Sequence, residues 1–382
     1  MTGSFSHAEE EILLARTIRR PLGRAARERF AGASVAVTGA GGSIGAELAR
    51  QLASCRPARL TLIDQSEHGL FQIERELVDR APHVALDPVL ADVTRASTMR
   101  RIFRLRRPQV VFHAAAYKHV TMAERAACAA AAVNVLGTAV VLEAARQVGA
   151  RFTLISSDKA AAPRSVMGAT KRLAELITIA AAPAAHASVV RFGNVLGSSG
   201  SVLPLMAERI AQGRSIALTH PNATRYFMSV GEAVALVMRA DALARGGETF
   251  WFEMGEPIRM ADLVERLLRV SAARGLAPVP VDVIGLRPGE KLTEELTMQG
   301  ADVARSDDPD IWVAHEPAPR PAAVVAALRS VVRAVARGDA LKTLEALTGA
   351  VPEFTPSAQA WASARAERFY VRRDRRRTVK IA

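Results

Sequence analysis

Residues 34–53 read SVAVTGAGGSIGAELARQLA, and the fold follows from them. Val35 to Val37 has the character of a short buried strand, while Ile44 through Leu52 carries apolar residues at helical spacing. Between the two, Gly39, Gly42 and Gly45 form TGxxGxxG, with one residue more between the first two glycines than GxGxxG has. Glycine at these places lets the backbone turn tightly and approach a pyrophosphate. The following helix offers that anion its free N–H groups and the positive end of its dipole. A glycine-rich turn alone is weak evidence, but strand, turn and helix in succession specify a dinucleotide-binding unit.

The neighbouring segments extend this unit. Residues 59–64, RLTLID, read as a second buried strand ending in Asp64, about twenty residues past the last motif glycine, where a carboxylate accepts hydrogen bonds from the adenosine ribose. Gln65, Ser66 and Glu67 offer no arginine for a 2'-phosphate, so NAD is expected over NADP. A helix-capping aspartate is the plainer alternative. A helix is predicted over about 67–79 and a strand near 84–90. Asp92 then lies within reach of an adenine amino group, and Thr94 is placed to cap the basic helix ending near Arg107. The fourth strand, in QVVFHAAAY, breaks off at Ala114, Ala115 and Ala116, whose small side chains leave room for a cofactor. Lys118 and His119 follow at the active edge, His119 reading more readily as a hydrogen-bonding prop than as a proton carrier. Asn134 sits in an apolar helix, where a buried amide must find partners, and is expected to fix the geometry beneath the site.

Residues 156–171, SSDKAAAPRSVMGATK, supply the chemistry. They follow the apolar run Phe152 to Ile155, so they occupy the carboxyl end of a buried strand, the edge at which open α/β sheets bind ligands. Ser157, Asp158 and Lys159 place an alcohol, a carboxylic acid and an amine side by side there. A solvated loop with an incidental ion pair is what Asp-Lys alone would suggest.

Composition bounds the rest. The 382 residues, 49% hydrophobic, can bury a large core, and the fold class is α/β: a Rossmann-type doubly wound parallel sheet with a smaller C-terminal substrate-binding lobe. The expected division is a helical extension over 1–30 with a face of Ile12, Leu13 and Leu14, an NAD-binding core over 31–193, a lobe over 194–320 interleaved with it, and a helical, basic tail over 321–382. Two cysteines and eight histidines without metal-ligand spacing predict metal-free chemistry in a reducing compartment. The absence of about twenty uninterrupted apolar residues predicts a soluble, cytoplasmic protein without a transmembrane segment. Much of the net charge of +13 lies near the ends, as in RRDRRR over 372–377. Such ends are expected to be solvated, with weak contact to a membrane surface as a lesser role, and no nucleic-acid partner is expected without interleaved aromatics. The helical region over 323–349 is expected to cover the substrate lobe or an oligomer contact.

TGAGGSIGAELARQL, HAAAYKHV, NVLGT, SSDKA, MGATK, VRFGNVLGSSGSV, THPNATRYFM and GLRPGEKLTEEL, in that order, resemble the extended short-chain dehydrogenase/reductases. Within them they are most similar to the UDP-N-acetylglucosamine 4,6-dehydratases of polysaccharide biosynthesis, over about residues 30–320, and VPEFTP resembles a further C-terminal feature of that branch. The resemblance implies a redox-neutral lyase: oxidation at carbon 4 of a UDP-hexose, loss of water across carbons 5 and 6, and return of the hydride to carbon 6, with NAD as cofactor. It implies Asp158 as the acid for the departing hydroxyl, Lys159 as the base at carbon 5 and Ser157 as a partner of the carbon-4 oxygen. Asp158 must then be kept protonated and Lys159 partly neutral. It further implies cofactor contacts from Ser43, Ile44 and Val93 beside the residues above. Substrate contacts are implied from His119, Asn194, Ser201, Val202, Pro204, Arg225 as a phosphate clamp, and Arg287 with Glu290. A homo-oligomer is expected.

One departure stands out. Where short-chain dehydrogenases place the tyrosine of YxxxK, this chain has Met167, followed at the expected distance by Lys171. A thioether is no base at neutral pH. Some members of the dehydratase branch share the methionine, so Lys171 is expected to keep the nicotinamide ribose and Asp158 to accept the carbon-4 proton. A UDP-sugar epimerase on the same scaffold and a non-catalytic NAD-binding protein are the alternatives.

Overall fold

A computed structural model describes residues 5–18, 22–296, 301–316 and 319–374. Its centre is a nine-stranded sheet. From one edge the order is Asp302–Arg305, Ile311–His315, Thr249–Phe252, β6 (Ala187–Arg191), β5 (Arg151–Ile155), β4 (Val110–His113), β1 (Ser34–Thr38), β2 (Arg59–Asp64) and β3 (Ala85–Leu90). Every pairing from β3 to Thr249–Phe252 is parallel, and the last two strands join as an antiparallel hairpin. Strand order reverses between β1 and β4, so their carboxyl ends diverge there and open a crevice. β1, β4, β5 and β6 are buried almost throughout, as strands covered on both faces must be.

Two apolar layers sandwich the sheet. One contains Phe30, Val35, Leu48, Leu52, Leu60 and Phe112 and the helix Val230–Leu243; the other contains Phe103, Phe152 and Leu173. The C-terminal helices Pro321–Ala336 and Ala340–Ala350 lie on the second layer, where Val331, Leu344 and Leu347 pack with residues of the helix Val166–Ala185. The expectation that they cover the substrate lobe is therefore corrected: their apolar stripes match the alanine-rich face of the core helices. Residues 375–377 of the basic run fall outside the described residues.

The smaller lobe has its own core of Leu203, Met206, Ile216, Phe227, Leu263 and Leu267, joined by Leu13 and Leu14 of the first helix, His7–Leu14. Ile12, expected on that face, is 52% exposed. Among the described residues one helical stretch, Ala127–Gln147, is long and apolar enough to span a membrane, which the sequence reading did not anticipate. Here it is a core helix, with Val135, Val141 and Leu142 buried beside the sheet.

Candidate active site

The crevice holds two cavities that share Gly39, Gly42, Ala114, Ala116 and Tyr117. The smaller, about 240 Å³, is also lined by Asp64, Val93 and Ala115; the larger, about 810 Å³, reaches Ser157, Lys159, Met167 and Lys171.

The glycine turn begins where β1 stops. Gly39 and Ala40 donate their N–H groups to the carbonyl of Ile63, so the turn hangs on the end of β2. Gly39 has φ +71°, and a Cβ there would lie 2.6 Å from the Ala115 nitrogen. A Cβ on Gly45 would lie 2.0 Å from the Gly39 carbonyl oxygen. Only glycine permits this closeness, which leaves a cradle of backbone open to a ligand. Asp64 accepts from the N–H groups of Gly41 and Ser66, both at 2.8 Å, which aims its carboxylate into the smaller cavity. Ser43, Ile44 and Gly45 line the larger one, and Ser43 also accepts the Ser199 N–H at 2.9 Å, linking the turn to the lobe.

The turn after β5 gathers the reactive groups. Asp158–Ala160 is a single 3-10 turn whose start Ser157 braces by accepting the Lys159 N–H and donating to Asp158 Oδ1 at 2.8 Å. Asp158 is fully buried, and its Oδ2 has no hydrogen-bond partner. The Lys159 amine donates to Asp158 Oδ1 at 3.0 Å and to the Asn194 side-chain oxygen at 3.2 Å. Burial pushes that amine down, but Asp158 and then Glu294, 3.7 Å away, outweigh it, leaving Lys159 above the ordinary lysine value. The expected partly neutral Lys159 is thus corrected for this arrangement, because two carboxylates lie within 4 Å of its amine.

Met167 and Lys171 share the first turns of the helix Val166–Ala185, and both face the larger cavity. Ser165 caps that helix by accepting the Gly168 N–H, and the buried Glu124 accepts from Val166. Lys171 donates to the Ile155 carbonyl at 2.8 Å, and burial brings its amine down to about 8 against the pull of Glu175. Beneath lies a buried relay. Thr138 donates to the Asn134 carbonyl and so accepts from His113 Nε2, which leaves His113 Nδ1 to accept from Thr38. Burial and the Lys171 charge hold His113 neutral, down to about 3.

A family model described as polysaccharide biosynthesis protein matches residues 35–316. The chain belongs to this family. It is 43% identical over 272 residues to EpsC of Bacillus subtilis (strain 168), a probable polysaccharide biosynthesis protein, covering 70% of this chain and 45% of that one. With CapD of Staphylococcus aureus, a capsular polysaccharide biosynthesis protein, it shares 41% over 268 residues, 69% of this chain and 45% of that one. The chain thus spans about half the length of these two relatives. Among solved structures, Pen from Bacillus thuringiensis superposes with a TM-score of 0.69 at 29% identity, covering 75% of this chain and 89% of Pen. DesIV from Streptomyces venezuelae, a dTDP-glucose 4,6-dehydratase with NAD and TYD bound, superposes at 0.60 and 22% identity over 69% and 88%, a likeness of fold alone. The extended short-chain dehydrogenase resemblance and the Rossmann-type sheet are borne out.

Against this family frame the remaining predicted residues divide. Asn194, Lys118, His119, Ser201 and Val202 line the larger cavity with the residues already named, and the His119 ring lies against the backbone of Gly200. Ser201 Oγ is buried without a hydrogen-bond partner. Asn134 lies below the cavities, its amide joining Thr170 Oγ1 to the backbone of Tyr117, so it positions rather than lines. Asp92 turns back onto Thr94, accepting from both its N–H and its hydroxyl at 2.8 Å; the helix Ala96–Arg106 starts at Arg95 without a side-chain cap, so Thr94 caps no helix, and of Asp92 and Val93 only Val93 lines the cavity. Pro204 lines neither cavity.

Arg225 is the main correction. Its guanidinium donates to the carbonyls of Thr224, Lys291 and Leu292 and lies 3.6 Å from Glu294, so it is a buried strut rather than a phosphate clamp. Arg287 is exposed, and Glu290 accepts its backbone N–H rather than pairing with its guanidinium. Sequence reasoning missed Glu294, although it stands in the quoted GLRPGEKLTEEL, because nothing local distinguishes it from Glu290 or Glu295. It also missed the buried Glu175 and Arg191, which meet only in the fold.

Proposed function

We propose that this chain carries the catalytic unit of a nucleotide-sugar 4,6-dehydratase that uses NAD and acts on UDP-N-acetylglucosamine in making surface polysaccharide. Family membership supports a nucleotide-sugar enzyme. The finer reading rests on one observation: Lys159, which lines the cavity with Ser157 and Lys171, is in contact with the buried carboxyl group of Asp158, and a methionine stands where a tyrosine base would. The backbone cradle at Gly39 and Gly45 fits a dinucleotide pyrophosphate, Asp64 fits an adenosine ribose, and Lys171 fits the nicotinamide ribose. Bound NAD would take the hydride from carbon 4 and give it back at carbon 6.

The protons can be carried by this chain alone. With Lys159 unprotonated, Asp158 accepts the carbon-4 hydroxyl proton by way of Ser157 and passes it back by the same route to the hydroxyl leaving carbon 6. Lys159 takes the proton from carbon 5 and returns it there once carbon 6 is reduced. Water is the sole by-product, and both side chains end as they began. An epimerase at carbon 4 has no use for the second group, which is why the adjacent pair favours elimination. The bond from Ser157 to Asp158 Oδ1, at a residue that lines the cavity, supports Ser157 as that relay.

The test is to incubate the protein with NAD and UDP-N-acetylglucosamine and to resolve the product by mass and NMR. A product lighter by one water, keto at carbon 4 and methyl at carbon 6, is expected. An isomer of unchanged mass would replace this reading with epimerisation, and recovery of unaltered sugar with NAD bound would leave a binding protein.

A further inference from the structure

Glu294 reaches the catalytic turn from the smaller lobe. Its segment is tied down twice: Thr224 donates its N–H to the Leu292 carbonyl at 2.9 Å, and Arg225 donates to the carbonyls of Lys291 and Leu292. The Glu294 side chain is almost fully buried, with Oε1 3.6 Å from Arg225 and 3.7 Å from Lys159, and Oε2 without a hydrogen-bond partner. A buried carboxylate requires compensating charge. Arg225 supplies one cation and, with its Nη atoms committed to carbonyls, cannot turn to take the carboxylate in a two-point pair. The second cation facing Glu294 is Lys159.

We propose that Glu294 acts on Lys159 as a positioning residue, holding its amine charged and directed at Asp158. The charged groups that face this amine are Asp158 from its own turn, Glu294 from the lobe and, in opposition, Arg225; Asn194 contributes a neutral acceptor. Two anions against one cation leave the ammonium form favoured, as the upward shift of Lys159 agrees. Because the chemistry assigned above needs the free amine, this inference rests on that reading for its consequence: Glu294 sets the acid limb of turnover. An enzyme without this carboxylate reaches its plateau at lower pH.

The direct test reads the amine without turnover. The full chain is treated near pH 9 with a trace of acetic anhydride, and acetylation of Lys159 is measured by mass spectrometry relative to the exposed Lys342. Glu294→Gln keeps shape and removes charge; the ratio is expected to rise about tenfold, the effect of one pH unit. Glu294→Asp keeps the charge at greater distance, so its ratio should fall between wild type and Glu294→Gln, which also serves should the amide variant fold poorly. The acid limb of turnover should move to lower pH in the same order. Equal ratios in all three proteins overturn the assignment. Failure of the wild type to dehydrate any UDP-hexose would count against the reaction and leave the labelling ratio to decide Glu294.

Discussion

Two buried groups of four charges flank the turn after β5. On one side Ser156 donates to Glu175, which Arg191 grips at 2.8 and 2.5 Å, while Arg172 and Glu316 complete the set at 2.5–3.2 Å. On the other, Asp158, Lys159, Glu294 and Arg225 follow one another at 3.0, 3.7 and 3.6 Å. Each group balances two cations with two anions, yet they are built for different work. The first pairs its carboxylates with arginines alone, which hold their protons, and borders neither cavity. The second contains a lysine that opens on the larger cavity, and its contacts are longer. Arginine closes the first group; in the second, the lysine is the cation that the proposed reaction uses.

The largest effect expected from breaking this comparison is Arg191→Leu. It leaves Glu175 and Glu316 facing Arg172 alone with no water to solvate them, at a cost of about 3–5 kcal/mol in urea unfolding. Lys159→Met should do the opposite: turnover in the reaction proposed above falls about 10²–10⁴-fold, while the urea midpoint moves less than in Arg191→Leu because Lys159 itself borders the larger cavity, so its loss opens the two buried carboxylates to water from that side. Comparable midpoints in the two variants would erase the distinction between the groups.

Titration supplies a reference against which both groups can be read. His113 does not belong to either group, and its folded value near 3 lies below the ordinary 6.5. Its contribution is therefore fully present above pH 6.5 and is lost as the pH falls toward 3, about 2 kcal/mol by pH 5. Urea midpoints across that range should flatten in His113→Gln. Ser156→Ala removes a hydrogen bond to a charged group but leaves Glu175 held by Arg191, so about 1.5 kcal/mol of stability is expected to go. Thr94→Ala, remote from both groups, sets the floor at about 0.5 kcal/mol and should leave NAD affinity unchanged by equilibrium dialysis.

What could be read beforehand was local. The glycine turn, Asp64, the Ser157–Lys159 run and the Met167–Lys171 spacing each lie within a few residues or one βαβ step, where strand and helix periodicity fix direction. The roles of Arg225, Glu294 and Glu316 could not be read that way. Their partners lie far along the chain, 66 residues away for Arg225 with Lys291 and 144 for Arg172 with Glu316. The C-terminal hairpin escaped notice for a related reason: its strands gain their place only by adding antiparallel to Thr249–Phe252.

The amino-acid order by itself therefore determined the α/β class, the dinucleotide cradle and the presence of an acid and an amine at the end of a central strand, because short-range geometry leaves those patterns few other folds. Which charge surrounds that amine was decided only in three dimensions. A carboxylate carries no sign of its partner until burial removes water and forces it to find one.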